Sequence, residues 1–262
     1  MSLLAVLAPL EGFEAPGVSS FDLPGLFGQP WLNKYLLQAT LSVVLIMVFW
    51  LVMARKTAMV PSKGQFIGES AYMFVRNSIG RDVIGHDFKR WVPLLLALFS
   101  FVLVNNLWGV FPLTLMPTAA HVGWAYGLAG LVWVIYNAIG IGRFGALGYL
   151  RHVTIPPGVP AWMYPLIIPL EFLSNILVRP LTLSLRLFAN MFAGHLLVLV
   201  FVLGGEYLLL HSEPIVNKVA GVFSLVFSMA IFGLEIFVQI LQAYIFTVLT
   251  AQYISSATAD EH

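Results

Sequence analysis

The sequence predicts an all-α membrane protein, with about five membrane helices and one amphipathic helix at the membrane interface. Of its 262 residues, 60% are hydrophobic and only 10% are charged, whereas soluble domains carry about 25% charged residues. The mean hydropathy is +0.91. Apolar runs recur at the length of roughly 20 residues that a helix needs to cross a hydrocarbon core about 30 Å thick. These observations predict a bundle of membrane helices.

The first elements follow from alternating apolar and polar segments. Residues 1–34 form a Gly/Pro-rich extension, which we expect outside the cytoplasm, and the first membrane helix covers 35–54 and ends at Arg55. Residues 65–79 mix charged side chains with aromatic and aliphatic ones. That mixture is typical of an amphipathic helix lying at the interface.

The other membrane helices follow as long apolar runs without separable linkers. They are predicted over residues 91–111, 122–142, 166–203 and 214–253. Pro112 and Pro117 close the first of these, because proline cannot continue a helix without losing a hydrogen bond. We therefore expect residues 35–262 to form one membrane channel domain.

The last two helices are too long to stand upright. The apolar run of residues 219–251 would extend about 50 Å at about 1.5 Å per residue, against a core of about 30 Å. An ordinary tilt of about 20° does not absorb that excess. We expect a steeply tilted or kinked hairpin with a protein neighbour beside it.

The distribution of basic residues predicts the orientation. Cytoplasmic loops are enriched in Lys and Arg. Two of the loops hold nearly all the basic residues of the membrane region: Arg55, Lys56, Lys63, Arg76, Arg81, Lys89, Arg90, Arg143 and Arg151, while Lys34 and Lys218 fall on the other side. Five crossings then place the N-terminus outside and the C-terminus in the cytoplasm.

Arg186 lies inside the fourth apolar run, where a guanidinium at bilayer depth costs at least about 2.5–3.5 kcal/mol. It belongs to a series of polar residues spaced by three or four, which predicts one stripe along the helix. The series is Asn175, Arg179, Thr182, Arg186 and Asn190. Pro180 predicts a bend in this stripe, and His195, about 180° around the helix from Arg186, faces the opposite way.

The fifth membrane helix carries a second polar stripe within an arc of about 60°. Its members are Ser224, Ser228, Glu235, Gln239 and Gln242. Such a stripe is either a seam between helices or the wall of a water path. Further buried polar groups are expected at Glu171, Asn105 and Asn106. Glu235 and His195 both titrate, and ionisable residues in membrane segments usually mark ion pathways.

Other classes of function are disfavoured. The chain has no Walker loop, no GxSxG, no HExxH and no Cys/His ligand set, so we expect no soluble-type catalysis, metal or cofactor. The net charge of +1 gives no indication of a nucleic-acid partner, and the chain has no cysteine for disulfides. Two alternatives to an ion channel remain. One is a self-contained secondary transporter that binds an anionic substrate at Arg186, and the other is a structural scaffold, which leaves Arg186 and Glu235 unexplained.

Two segments resemble the signatures of the subunit a family of F-type ATP synthases. They are residues 179–195 (RPLTLSLRLFANMFAGH) and residues 241–250 (LQAYIFTVLT). Residues 60–69 are similar to the interfacial segment of the family, and residues 106–112 to its next span. The resemblance covers nearly the whole chain from about residue 35.

The resemblance implies roles for the polar residues of the two long helices. Arg186 corresponds to the arginine that faces the rotating ring of c subunits, with Asn190 and Gln242 near it, and Glu171 to a channel carboxylate. Further candidates for channel lining are Gln239, Asn106, Asn175, Arg179 and Ser228.

Two positions depart from the pattern of many bacterial relatives. Those relatives carry Glu at His195 and His at Glu235, so the titratable pair is exchanged here. Gly109 stands where some relatives have an acidic residue, and no role is assigned to it.

The implied activity is ion translocation without catalysis by this chain itself. Two half-channels, offset around the ring, would carry protons (or Na⁺) to and from ring carboxylates and so drive rotation and ATP synthesis. The implied partners are the c ring, the b subunits of the peripheral stalk and the lipid bilayer. The implied location is the bacterial plasma membrane.

Overall fold

The structure is a computed structural model that describes residues 16–17, 33–55, 61–111, 114, 116–155 and 160–259. Within this part of the chain every regular element is helical, which confirms the all-α prediction. Most of the predicted N-terminal extension, together with Lys56 and Pro112, lies outside the described residues.

Across the described ranges, the fold is built from seven α-helices, two π-helical segments and two short 3-10 helices. The α-helices are α1 Lys34–Ala54, α2 Lys63–Phe74, α3 Phe88–Leu107, α4 Val122–Thr154, α5 Tyr164–Leu173, α6 Arg179–Leu210 and α7 Ile215–Thr258. The π-helical segment Val75–Ile84 continues α2, and Ser174–Val178 joins α5 to α6 as one helix of 47 residues. Counted with that continuous helix, five helices of the described chain have the length and apolar composition of membrane spans. This number agrees with the predicted five.

The amphipathic helix is longer than the predicted 65–79. It begins after Ser62, whose hydroxyl accepts a hydrogen bond from the Gln65 N–H at 3.3 Å. It ends at Gly85, whose φ of 81° is in the left-handed region that stops helices. The helix persists past residue 79 because its last ten residues adopt π-helical geometry.

The third span also differs from its predicted range of 122–142. Helical hydrogen bonding continues to Thr154, but Gly145, with φ 72° and ψ 165°, breaks the helix. The chain then folds back, so that the Tyr149 ring covers Gly140 and its hydroxyl donates to Asn137 Oδ1 at 3.2 Å. The straight part of α4 therefore ends close to the predicted boundary.

The core lies between α3, α4, α6 and α7, and α1 packs against one side of it. Representative buried side chains are those of Leu98, Val102, Leu187 and Phe246. At one end of the bundle, the Lys34 ammonium donates to the Thr114 carbonyl at 2.6 Å. At the other end, His152 Nε2 lies 3.2 Å from the Ser256 carbonyl oxygen. The helices thus alternate in direction, as five crossings require.

The two longest helices form the predicted hairpin. At about 1.5 Å per residue, the 47-residue α5–α6 helix extends about 70 Å and the 44-residue α7 about 66 Å. They approach closely where a Cβ added at Gly221 would lie 2.9 Å from the Gly205 carbonyl oxygen. Both exceed the thickness of a membrane core more than predicted, and their tilt in the membrane stays a prediction.

Candidate functional site

Arg186 lies on the outer face of α6. Its side chain is exposed, as are those of Thr182 and Asn190, whereas Leu183 and Leu187 on the other face are each 1% exposed. No carboxylate of the described residues forms an ion pair with Arg186. The fixed positive charge therefore faces away from the rest of the chain, on a helix long and apolar enough to cross the membrane.

Asn190, one turn beyond Arg186, connects this outer face to α7. Its side-chain amide donates to Gln242 Oε1 at 2.8 Å. Gln242 itself is 1% exposed and lies in the seam between α6 and α7. The two amides predicted near Arg186 are thus in contact with each other.

His195 and Glu235 are in contact on the buried side of α6. His195 Nδ1 lies against Glu235 Oε1, and His195 Nε2 lies 3.2 Å from the Gly109 carbonyl oxygen. Both side chains are buried, whereas Arg186 is exposed, so the predicted opposite orientation of Arg186 and His195 is confirmed. A carbonyl only accepts, so the hydrogen bond to it requires a proton on Nε2. The pair can then share one proton between Nδ1 and the carboxylate.

Buried amide groups continue from this pair along the seam. Asn106 and Gln239 are completely buried, and the Asn106 amide donates to the main-chain carbonyl of Gln239 at 3.2 Å. Among the described residues, no protein partner is recorded for either side-chain amide atom of Gln239, for Asn106 Oδ1 or for Glu235 Oε2. Each such group would cost about 1–3 kcal/mol if it stayed unsatisfied. A row of them can be satisfied by bridging water.

The two serines of the α7 stripe are already hydrogen-bonded. Ser224 donates to the Phe201 carbonyl at 2.7 Å and so connects α7 to α6. Ser228, which is buried, donates to the Leu225 carbonyl of its own helix at 2.7 Å. The predicted α7 stripe is therefore a seam between helices at Ser224, whereas the hydroxyl of Ser228 is satisfied within α7 itself.

Glu171 and Asn175 form a second polar cluster near the end of α4. The Asn175 amide lies 2.9 Å from Glu171 Oε2 and 3.0 Å from the Val153 carbonyl oxygen, to both of which it can donate. Arg179 does not pair with Glu171 but places its guanidinium 5.4 Å from the centre of the Tyr253 ring. This cluster lies at the end of the bundle that carries most of the basic residues.

The predicted single stripe on the fourth membrane helix is wrong at its first member. Asn175 is buried towards α4, whereas Arg186 is exposed. The reason is the π-helical segment Ser174–Val178, in which the Arg179 N–H donates to the Ser174 carbonyl five residues earlier. This wider turn changes the angular position of everything before Arg179.

Proline explains why the wider turn forms there. Pro180 has no N–H, so the carbonyls of Asn175 and Ile176 lack a helical donor from that position. Tyr136 donates its hydroxyl to the Asn175 carbonyl at 3.0 Å, and Trp133 donates its indole N–H to the Ile176 carbonyl at 2.9 Å. Aromatic side chains three residues apart on α4 were the signal in the sequence that could have shown this contact.

Comparison with known proteins shows the family. The model of the family described as "ATP synthase A chain" matches residues 36–255. A protein named ATP synthase subunit a from a Nocardioides species is 50% identical and aligns over 96% of this chain and 95% of its own length. Proteins of the same name are 48% identical in Pseudarthrobacter chlorophenolicus, over the full length of both chains, and 37% identical in Streptomyces lividans, over 96% and 90%. The chain belongs to the ATP synthase A chain family.

Proposed function

We propose that this chain is the ion-translocating stator subunit in the membrane sector of an ATP synthase, and that it is not catalytic by itself. The observation that carries the proposal is the separation of charges on α6. Arg186 is exposed and forms no ion pair with the described residues, while the titratable His195 and Glu235 are buried on the opposite side. An unpaired guanidinium in a membrane helix needs a partner charge from elsewhere.

The separation of the two polar clusters supports the proposal of two half-channels. The His195–Glu235 pair packs against Gly109, at the end of the bundle that holds Lys34 and Thr114. The Glu171–Asn175 cluster lies at the opposite end, beside Val153. Along the helix axis, Glu171 precedes Arg186 by about 20 Å and His195 follows it by about 14 Å. In the proposed arrangement, Arg186 would lie between an outer and an inner polar path.

The chemistry of the cycle follows from the cost of charge in lipid. A proton from the outer path neutralises a ring carboxylate, which can then cross lipid, because the ionised form is strongly disfavoured there. After rotation the proton leaves through the inner path. Arg186 stabilises the ionised carboxylate between the two paths and its charge blocks a direct proton leak. The driving force is about 2.3 kcal/mol per charge per 100 mV.

The proposal includes partners and orientation. The c ring would face Arg186, the b subunits of the peripheral stalk would hold the chain, and protons (or Na⁺) would be the transported ion. The positive-inside rule places the N-terminus outside and the C-terminus in the cytoplasm, in the plasma membrane of a bacterium.

The transporter alternative needs helices that are broken at matching positions. The long helices differ in this respect, because α5–α6 contains a π-helical segment and α7 is uninterrupted.

Cross-linking of the assembled complex tests the ring contact. The chain has no cysteine, so a single introduced cysteine can carry a thiol-reactive photo-cross-linker without background from the rest of this chain. We expect Ala189→Cys, on the exposed face beside Arg186, to cross-link to the ring subunit. The matched control is Val134→Cys, which is 54% exposed on α4 and should not reach the ring. The proposal fails if Ala189→Cys labels lipid only, or if both positions label the ring equally.

A further inference from the structure

Gly109 lies in the turn that follows α3, and the turn itself does not require glycine. The Gly109 N–H donates to the Asn106 carbonyl at 2.9 Å. The described glycines with positive φ are Gly85 and Gly145, so Gly109 has a backbone conformation that other residues can adopt. If glycine is needed at this position, the reason is that a side chain would not fit, and not that the backbone conformation requires glycine.

The space beside Gly109 is occupied from two helices. A Cβ added at this position would lie 2.6 Å from Cε1 and 2.8 Å from Nε2 of His195, and 2.9 Å from Nε2 of Gln239. Real Cβ atoms essentially never come closer than 3.0 Å, so either the imidazole or the turn would have to move. The ring of His195 therefore lies directly on the α-carbon of Gly109, with its Nε2 facing the Gly109 carbonyl at 3.2 Å.

We propose that Gly109 is the positioning residue of the His195–Glu235 pair. This inference rests on the proposed function. The missing side chain lets the imidazole approach, and the carbonyl binds Nε2–H on the side away from Glu235. The orientation of the ring is thereby fixed, with Nδ1 directed at the carboxylate.

This placement gives the two members of the pair different roles. When Glu235 gives its proton to Nδ1, an imidazolium and a carboxylate form, and Nε2–H stays on the carbonyl. A main-chain carbonyl cannot carry the proton further, so the proton must return through Nδ1 to Glu235. The onward route is then Glu235 Oε2, for which no protein partner is recorded among the described residues. His195 stores a proton, and Glu235 passes it along the channel.

The test is Gly109→Ala in the complete ATP synthase complex, measured in inverted membrane vesicles. Two quantities are recorded: the initial rate of ATP-driven proton uptake across a range of pH, and the amount of assembled complex. The added methyl group should displace the His195 imidazole by about 1 Å. We therefore expect the initial rate of proton uptake to fall about tenfold to hundredfold, with an unchanged amount of assembled complex. The matched control is Gly127→Ala, because a Cβ there has nothing within 4 Å. It should leave the rate unchanged.

The pH profile separates positioning from mere damage. A ring moved off the carbonyl changes the surroundings of the His195–Glu235 pair, so the profile should change its position on the pH axis and not only its height. Glu235 is the titratable group in contact with His195. The other neighbours of the ring, Gln239 and the Gly109 carbonyl, are neutral. A variant that only lowers the amount of complex reduces the uptake rate by the same factor at every pH and leaves the position of the profile on the pH axis unchanged.

Each result decides the proposal. A normal rate and profile in Gly109→Ala overturns it, and so does a loss that matches reduced assembly with an unmoved profile. If Gly109→Ala shows no uptake at all, the double variant with His195→Asn decides, because the shorter side chain relieves the contact. Uptake that returns supports the proposal. Uptake that stays absent overturns it, because Glu235 should still pass the proton without His195. Coupled synthesis by Arg186→Ala would refute the proposed function instead, whatever Gly109→Ala does.

Discussion

Replacing Arg186 with alanine should abolish coupled ATP synthesis without destabilising the chain. Arg186 is exposed and forms no ion pair with the described residues, so its removal breaks no contact of that kind. At bilayer depth its removal even relieves a cost of about 2.5–3.5 kcal/mol. Stability and function should therefore change in opposite directions, which is unusual for a single substitution.

The size of the functional loss follows from the charge that Arg186 would stabilise. A guanidinium about 4 Å from a ring carboxylate, at an effective dielectric constant of about 20, contributes about 4 kcal/mol. Without it, release of the proton from the ring should be about a thousandfold slower. Arg186→Lys keeps the charge but loses the planar fork, and we expect it to fall between wild type and Arg186→Ala.

The assay is ATP synthesis driven by an imposed proton gradient in vesicles that contain the whole complex. Immunoblotting of the purified complex measures the amount of assembled complex, which we expect to be unchanged. Arg179→Ala is the matched control, since it removes an arginine from the same helix whose recorded contact is the Tyr253 ring. We expect it to lose less than Arg186→Ala, because the cation–π contact of the half-buried Arg179 is worth about 0.5–2 kcal/mol. Synthesis at more than a tenth of the wild-type rate in Arg186→Ala would refute the reasoning.

Two further predictions test the pair and the break in α4. Exchange of the titratable pair, His195→Glu with Glu235→His, should retain more proton flux than either single variant, because the pair is in contact; a double variant no better than the singles would contradict this. Gly140→Ala should destabilise the chain by about 1–3 kcal/mol, because its Cβ would lie 2.1 Å from the Tyr149 ring. Thermal unfolding in detergent measures the loss, with Gly142→Ala, which has open space, as control. Equal stability of the two variants would show that Tyr149 moves without cost.

Periodicity in the sequence was sufficient to predict most of the fold. The apolar runs predicted all five membrane helices, and the angular spacing on α6 correctly separated Arg186 from His195. It did not show that His195 meets Glu235, since spacing along one helix says nothing about the neighbour opposite. The family resemblance identified the two positions as a titratable pair, and the structure places them in contact.

The missed features depend on contacts between distant parts of the chain. Pro180 indicated a bend, but the wide turn also needs Trp133 and Tyr136 from α4 as donors. Gly109 was given no role, because it stands where some relatives of the family have an acidic residue. Its importance is visible only once His195 is placed against it. Sequence periodicity predicts which residues share a face of a helix. The wide turn and Gly109 depend instead on which atoms of neighbouring helices lie against them.

The wide turn Ser174–Val178 has a consequence for how the chain tolerates changes in length. A π-helical turn holds an additional residue, so deletion of one residue, such as Leu177, would allow ordinary α-helical geometry. An α-helical residue turns the chain by about 100° and a π-helical residue by less, so four α-helical residues cover nearly the same angle as the five of the wide turn. Residues before the deletion would therefore keep nearly their present angle relative to those after it, and Glu171 would stay beside α4 while Arg186 kept its own place. The segment can thus lose one residue without changing the phase between two faces of one helix, and α7, which is uninterrupted, has no comparable site of adjustment.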